Sequence, residues 1–547
     1  MLGGMPRSSY PALARPARWR TRTSASLPKL LLALGLAVVA ALPGIEPARV
    51  AAQDEPQARI VGGEPLTWDP ARAGETTSVG VLAQVFETLT AFDAENQIRP
   101  ALARSWSVAP DGRRIEFELR PEAQFSDGSP ITGQDVVDSW FRLLDPARPS
   151  PLVSLLSDVR GANDYLVGSA GRDAVGLRAE GNRVIVELRR PASYFLAVTG
   201  SPSLAVVPRQ MWDVLDTPLM PSGMVVSGAY LPTAQTDAGI RLEANPRYWA
   251  GPPALAAVQI VTDLGGVGAV SAFERGDVDY VQIGSWDASW IRYDRQLGPQ
   301  LREVSDFVVH YYGFDTTRPP FDDGRVRLAF AQAVDWERLA MLDDREPAMS
   351  MVPPGIPGGG DEDFKPPYDP DAARQLLADA GYPDGEGFPE VPLVTHGYGL
   401  EVAVATQLER ELGISVPIEF REFGDYLELR RTDDRAHFWN VAWSADYPHA
   451  HDFLGLLLET GSASNEGQWS NAEYDALIAE AAATEDPDEQ LRIYARAQAI
   501  LRSEAPVVPV EYSSGWALSR NGLLGADPSG VGYIRFAGLA WAEDSGR

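Results

Sequence analysis

The stretch Asn440-Val-Ala-Trp-Ser-Ala-Asp-Tyr-Pro-His-Ala-His-Asp452 sets the carboxylate of Asp446 among Trp443, Tyr447 and other apolar residues. A carboxylate with aromatic neighbours loses solvation when the chain folds, so it needs a cationic or hydrogen-bonding partner. Two interpretations fit these residues. Asp446 faces a bound cation such as an ammonium group, or it only caps the turn at residues 447–448, as aspartate in turns commonly does. The rest of the chain has to decide between them.

The segments on both sides of this stretch alternate between strand and helix patterns. Residues 391–394 and 416–420 predict strands, and the segment between them has the apolar spacing of a helix. Further along, Asp486 followed by Pro487 predicts a helix start, with the aspartate as N-cap and the proline in the first turn. Strands separated by helices indicate an α/β sheet.

Residues 77–199 predict a smaller α+β unit. Residues 114–120 and 183–189 alternate apolar and polar side chains with a period of two, which is typical of half-buried strands. Thr132 and Asp135 have the spacing of a capping box ahead of an amphipathic helix. This unit therefore differs from the α/β pattern that follows it.

Composition limits the classes of function. The chain has 547 residues, enough for roughly three or four folding units. Its net charge is −29, and Lys29 and Lys365 are its only lysines. No basic patch is available for phosphate backbones, so nucleic-acid binding is not expected. The acidity is read as a solvated, repulsive surface, with steering of cationic ligands as the second interpretation.

The N-terminus has the pattern of an export signal. Several arginines and Lys29 precede the apolar run of residues 30–42, and small residues precede a possible cleavage point after Ala52. Residues 1–52 are therefore either a cleaved signal or an uncleaved anchor, and the chain from residue 53 is expected outside the cytoplasm. The chain contains no cysteine, which rules out lipid attachment at a signal-peptide cysteine and disulfides.

A series of short motifs runs along the whole exported chain. Their order is Glu64 with residues 65–70; residues 102–106; 125–128 and Trp140; 228–230; 248–249; 320–327; 376–385; and 443–447. In this order they resemble the extracytoplasmic solute-binding proteins of ABC importers that carry oligopeptides, dipeptides and, in some members, nickel. Each motif is weak by itself, and the order of all of them is specific.

The resemblance implies an α/β fold of two lobes around a ligand cleft, closing about a hinge, with a mixed α+β subdomain. Lobe I would be discontinuous, built from residues 53–76, 200–285 and 510–547. Residues 77–199 would be its extra subdomain, and residues 286–509 would form lobe II.

The resemblance also implies a ligand site. The position that matches Asp446 pairs with the α-ammonium of a peptide in that family, which favours the ligand-facing interpretation. In well-studied oligopeptide binders, an arginine three residues before the matched tryptophan can hold the peptide carboxylate. Asn440 stands there in this chain. An amide cannot form a bidentate charge-assisted pair, so peptides anchored by their carboxylate are less expected. The candidate ligand-binding residues are Asp446, Trp443, Tyr447, Asn440, Glu64 and Tyr230.

His449 and His451 are weak candidates for a metal site, because imidazole suits several divalent ions. Alternate residues often face opposite ways and the sequence shows no further ligand cluster, so we expect no resident metal and no cofactor.

The functional expectation is a monomer that captures peptides and delivers them to the permease subunits in the membrane. The alternatives are a binder of another ligand in the same cleft (an oligosaccharide or a metal chelate), a peptide-sensing receptor, and, least favoured, a secreted hydrolase. The sequence has no Gly-x-Ser-x-Gly, no His-Glu-x-x-His and no P-loop lysine. We therefore expect no enzyme activity.

Overall fold

A computed structural model describes residues 57–543, apart from residues 94–95, 343–344, 361, 398, 431, 433–435 and 527–529. The predicted export signal over residues 1–52 lies outside this range. Within the described part of the chain, no helix combines the length and the apolar character that crossing a bilayer requires.

The strands are short except for two. They are β1 (Gln57–Val61), β2 (Thr90–Phe92), β3 (Ile98–Pro100), β4 (Ala103–Val108), β5 (Arg114–Leu119), β6 (Leu177–Glu180), β7 (Arg183–Glu187), β8 (Tyr230–Thr236), β9 (Gly239–Ala244), β10 (Ala257–Val261), β11 (Tyr280–Ile283), β12 (Leu301–Phe314), β13 (Glu346–Pro347), β14 (Leu393–Thr395), β15 (Ile418–Phe420), β16 (Phe438–Ser444), β17 (Val507–Ser519), β18 (Leu523–Leu524) and β19 (Ala540–Trp541).

The helices cluster in the second half of the chain. They are α1 (Thr76–Val85), α2 (Gly133–Leu143), α3 (Ala162–Leu166), α4 (Phe195–Val198), α5 (Ala269–Glu274), α6 (Ser285–Ile291), α7 (Gly324–Ala333), α8 (Trp336–Leu342), α9 (Pro370–Asp379), α10 (Glu401–Leu412), α11 (Phe423–Arg430), α12 (Ala450–Leu458), α13 (Ala472–Ala483) and α14 (Pro487–Glu504).

The largest sheet runs in the order β15-β14-β16-β12-β17-β11-β1-β10-β9-β8, and β13 pairs with β17. Its two longest strands, β12 and β17, lie side by side in the middle. The end of β17 pairs with β11, while residues 511–512 of the same strand pair with β13. Residues 308–314 of β12 pair with β16. These two strands therefore join the strand group β14–β16 to the group formed by β1 and β8–β11.

Residues 77–199 contain a second sheet, in the order β4-β5-β7-β6. The inward side chains of β5, Ile115, Phe117 and Leu119, are buried, which confirms the predicted alternation. The capping box is also present: Thr132 accepts from the Asp135 main chain, and the Asp135 carboxylate accepts from the Thr132 main chain. The core of this unit extends to side chains from α12 and α13, among them Leu456 and Ala482.

Two predicted strand boundaries differ from the structure. The alternating pattern of residues 277–283 predicts a strand over the whole segment. The strand begins only at Tyr280, because Asp279 turns its carboxylate onto the main-chain N–H and guanidinium of Arg59. Residues 308–314 also have the pattern of a strand. That strand begins earlier, at Leu301, because its first residues pair with β17. Both differences come from partners that are distant in sequence. The helix start at Asp486 is confirmed, since its side chain accepts from the N–H groups of residues 488 and 489.

Candidate functional site

One face of the β12–β16 ribbon is only half covered near its end. In this antiparallel pair, Val308 lies opposite Ser444 and His310 lies opposite Ala442. These four residues are half-buried. The residues between them, Val309 in β12 and Trp443 in β16, point the other way; Val309 is fully buried and Trp443 half-buried. On β16 this half-covered face carries only small side chains, those of Ala442 and Ser444.

Asp446 follows directly on this face, two residues after Ser444. Its Oδ2 atom is buried and has no hydrogen-bond partner among the described residues. Burial raises the pKa of the Asp446 carboxyl above the usual range of aspartate. The following turn is held by other groups, since the His449 N–H donates to the Tyr447 carbonyl at 2.9 Å. The unpartnered Oδ2 favours the ligand-facing interpretation over the turn-capping one.

Asp452, in the first turn of α12, organises the surroundings of Asp446. It is fully buried, and its Oδ2 accepts from the Trp443 indole Nε1 at 2.8 Å and from the Asp446 N–H at 3.3 Å. Burial, and then the Asp446 charge, raise the pKa of the Asp452 carboxyl. Oδ1 of Asp452 has no partner in the described part of the chain. Two adjoining carboxyl groups in apolar surroundings are stabilised in their charged form by a cation.

The sequence did not reveal this role of Asp452. Its place in the first turn of a helix that follows a strand was the available signal, because side chains of a first turn can reach back to the incoming chain.

Trp443 and Tyr447 lie beside Asp446, as the sequence requires. Trp443 is half-buried and held by Asp452. Tyr447 is buried, and its hydroxyl forms a hydrogen bond of 2.9 Å with Nδ1 of His451. Asp452 therefore fixes the Trp443 indole next to the main chain that carries Asp446, and Tyr447 packs in the core beside it.

Asn440 has the same strand parity as Asp446 but lies deeper. It is buried, and its amide Nδ2 donates to Oε1 of Glu401 at 3.1 Å. The Tyr426 hydroxyl donates to its main-chain oxygen. Trp443, at the opposite parity, points to the other face of β16. The structure therefore places Asn440 in an interior polar cluster.

Glu64 and Tyr230 occupy different surroundings. Glu64 is exposed in the loop after β1. Tyr230 is fully buried in another core cluster, and its hydroxyl donates to the carbonyl groups of Leu255 at 3.3 Å and Phe536 at 3.2 Å. The structure thus assembles Trp443, Asp446 and Tyr447, and it gives the Tyr230 hydroxyl a partner within the core.

His449 and His451 are both engaged by the protein. His449 caps α12, because its Nδ1 accepts from the His451 N–H at 3.1 Å. Burial lowers the pKa of His449 to about 4. The His451 ring stacks on Tyr194, with 3.4 Å between centroids. Across the described ranges, no three His, Cys, Asp or Glu side chains are arranged to hold a metal ion.

Arg190 fastens the 77–199 unit to the end of α12. Its guanidinium donates to both carboxylate oxygens of Glu459, at 2.6 Å for Oε2, and contacts Asp158 at 2.8 Å. Asp158 also accepts from the Tyr194 hydroxyl. The Tyr194–His451 stack and this ion pair hold α12, and with it Asp452, against the 77–199 unit.

Comparison with known proteins agrees with this fold. Residues 97–465 match the model of the bacterial extracellular solute-binding proteins, family 5. The probable deoxycholate-binding periplasmic protein YgiS of Escherichia coli is 31% identical over 466 residues, covering 82% of this chain and 86% of the relative. The periplasmic oligopeptide-binding protein OppA of Salmonella typhimurium is 28% identical over 498 residues, covering 87% and 90%.

A solved structure extends the similarity to three dimensions. Haemophilus influenzae OppA in complex with RPPGFSPFR is 25% identical, with a TM-score of 0.75 over 89% of this chain and 99% of that one. The two-lobed periplasmic binding-protein fold implied by the sequence is confirmed. The chain therefore belongs to family 5 of the bacterial extracellular solute-binding proteins, the binding components of ABC importers.

Proposed function

We propose that this protein captures peptides by their free α-ammonium group at Asp446 and delivers them to the permease subunits of an ABC importer. The observation that carries the proposal is the buried Oδ2 of Asp446, which has no hydrogen-bond partner among the described residues. A peptide ammonium supplies both a positive charge and hydrogen-bond donors, which this oxygen lacks. Asp452 behind it adds a second carboxyl that favours a cation.

Lobe closure is part of the proposal. Residues 53–76, 200–285 and 510–547 form lobe I, with 77–199 as its subdomain, and residues 286–509 form lobe II. Strands β12 and β17 run between the two strand groups, so a bend in them would change the distance between the lobes.

The relatives are named for different ligands, and the acids of this site favour a ligand with a cationic group. YgiS is named for deoxycholate, a carboxylate, whereas OppA is named for oligopeptides. A carboxylate ligand would be repelled by Asp446 and Asp452. The other end of the peptide is not held by Asn440, because its amide is already bonded to Glu401. The site therefore suits peptides gripped at the amino end, with their main chain along the half-covered face.

The predicted export signal supports a location outside the cytoplasm, and we propose that the protein acts there as a monomer. Whether residues 1–52 are cleaved is decided by N-terminal sequencing of the exported protein.

Calorimetry with Ala-Ala-Ala and its N-acetylated form tests the peptide proposal. The free-ammonium peptide should bind at least tenfold more tightly, and Asp446→Asn should abolish this difference. Asp237→Asn, in the exposed β8–β9 turn, is the matched control. Equal binding of both peptides to the unmodified protein, or an unchanged preference in Asp446→Asn, would contradict the ammonium role. Native mass spectrometry of the purified protein would identify a different retained ligand.

A further inference from the structure

A second acid lies at the same end of the half-covered face. The β12–β16 pairing ends at Val308 opposite Ser444, and the strands stay together for one more residue, because the Ala445 N–H donates to the Phe307 carbonyl at 2.9 Å. Continued by one more residue, that register would set Asp306 opposite Asp446. Residues opposed in an antiparallel pair point to the same face.

The side chain of Asp306 is not used by the protein. It is half-buried, and its Oδ1 atom is buried with no hydrogen-bond partner among the residues described. Burial raises the pKa of Asp306 to about 6. The neighbouring strand β17 is not in regular register with this part of β12, because the pairing shifts between Ser305 and Val309. An acid left unpaired in the middle of the central sheet points to a partner from outside.

Two basic groups around this face, His310 and Arg345, are already engaged. His310, two residues beyond Val308, bonds to the Ser513 hydroxyl at 2.9 Å. Its pKa is lowered to about 3 by burial, with smaller effects of Arg345 and His396, so the ring is neutral at pH 7. Arg345 donates to Glu511 at 2.5 Å. The acids of the face are therefore not neutralised by these groups.

Asp452 gives independent support for a cationic ligand. It is fully buried, it lies against Asp446, and its Oδ1 is unpartnered. One ligand ammonium can compensate the Asp446–Asp452 pair, which leaves Asp306 without a counter-charge.

We infer that Asp306 is a second carboxylate of the ligand site, and that the site selects ligands with two cationic groups, such as a peptide that begins with lysine. This inference rests on the proposed function, which supplies the first cation at Asp446. The α-ammonium lies at Asp446 and Asp452, and the long, flexible side chain of the first residue carries its own charge to Asp306. A monocationic ligand leaves Asp306 buried and unpaired.

Calorimetry with Lys-Ala-Ala and norleucine-Ala-Ala tests the inference, since the two peptides differ mainly by the side-chain charge. The unmodified protein should bind the lysine peptide about tenfold more tightly. Asp306→Asn should reduce this ratio to about one while it retains the preference for free over acetylated amino ends. Asp446→Asn should retain the preference for the lysine peptide and lose the preference for free over acetylated amino ends. Circular dichroism establishes that each variant is folded.

The outcomes separate the two proposals. Equal affinity for both peptides in the unmodified protein overturns the second-carboxylate role, and this arm needs no variant. An unchanged ratio in Asp306→Asn overturns it as well, while the ammonium role of Asp446 stands. Loss of discrimination against acetylated peptides contradicts the proposed function instead. Binding of neither peptide, or stabilisation by Ca²⁺ alone, contradicts both.

Discussion

The carboxylate of Asp452 accepts the indole N–H of Trp443 at 2.8 Å, and the same oxygen accepts the Asp446 N–H at 3.3 Å. One buried acid therefore fixes both the Trp443 indole and the main chain of the proposed ligand-binding acid. Asp452→Ala removes the acceptor of both donors and should lower the free energy of unfolding by about 2 kcal/mol. Urea unfolding at pH 7 measures this change.

Asp452→Asn is the matched control, because its amide oxygen can still accept while the buried charge is gone. We expect it to unfold at a urea concentration closer to that of the unmodified protein. Equal destabilisation by both substitutions would assign the effect to the charge rather than to the hydrogen bonds.

Peptide affinity should depend on pH. The pKa of Asp446 is raised by burial, so its carboxyl takes up a proton at a higher pH than an ordinary aspartate does. A proton competes with the ligand ammonium for this group. The affinity for a free-ammonium peptide should therefore weaken as the pH falls from 8 to 5, and calorimetry at several pH values measures the slope. The Asp446→Asn variant should show a flatter profile, and identical profiles would exclude Asp446 as the titrating partner.

The stability of the ligand-free protein should also report on Asp306. Its pKa is raised from 3.8 to about 6 in the folded protein, so folding favours the protonated form. This contribution is complete below about pH 4 and is lost as the pH rises through about 6. Asp306→Asn should stabilise the protein by about 1–2 kcal/mol at pH 8, a value reduced for partial exposure, and by little at pH 4. A gain of the same size at both pH values would show that titration is not the cause.

The local parts of the fold were predictable from the sequence. The Thr132–Asp135 capping box and the Asp486 cap act within a few residues, so their sequence patterns contain the whole interaction. The length of β12 was not predictable, because its first residues are held by β17, about 200 residues later. Strand formation depends on such partners more than on the strand's own residues.

The site also has parts that the sequence predicts and parts that it does not. Trp443, Asp446 and Tyr447 lie within five consecutive residues, so their main chain is close in any fold. The inferred position of Asp306 near Asp446 depends on the β12–β16 register, and single-sequence patterns do not specify register between distant strands. Tyr230 was a candidate from its motif, but its hydroxyl is satisfied by carbonyl groups from residues 255 and 536, which only the folded chain brings together.

Gly455 offers a test of how α12 packs against Tyr194 through the His451 ring. A Cβ atom at this position would lie 2.3 Å from Nε2 of His451, and the His451 ring is held at 3.4 Å from the Tyr194 ring. Gly455→Ala should therefore destabilise the protein by about 1–3 kcal/mol, although alanine favours a helix by up to about 1 kcal/mol. Thermal and urea unfolding measure the change.

In a His451→Ala background the obstructing ring is gone. There the same Gly455→Ala substitution should be neutral or stabilising, because only the helix propensity of alanine remains. The difference between the two backgrounds is the coupling of Gly455 to the His451 ring. Equal destabilisation in both would mean that Gly455 is required for another reason. If the packing of α12 also positions Asp452, Gly455→Ala should weaken peptide binding as well. Calorimetry on the folded variant measures this effect.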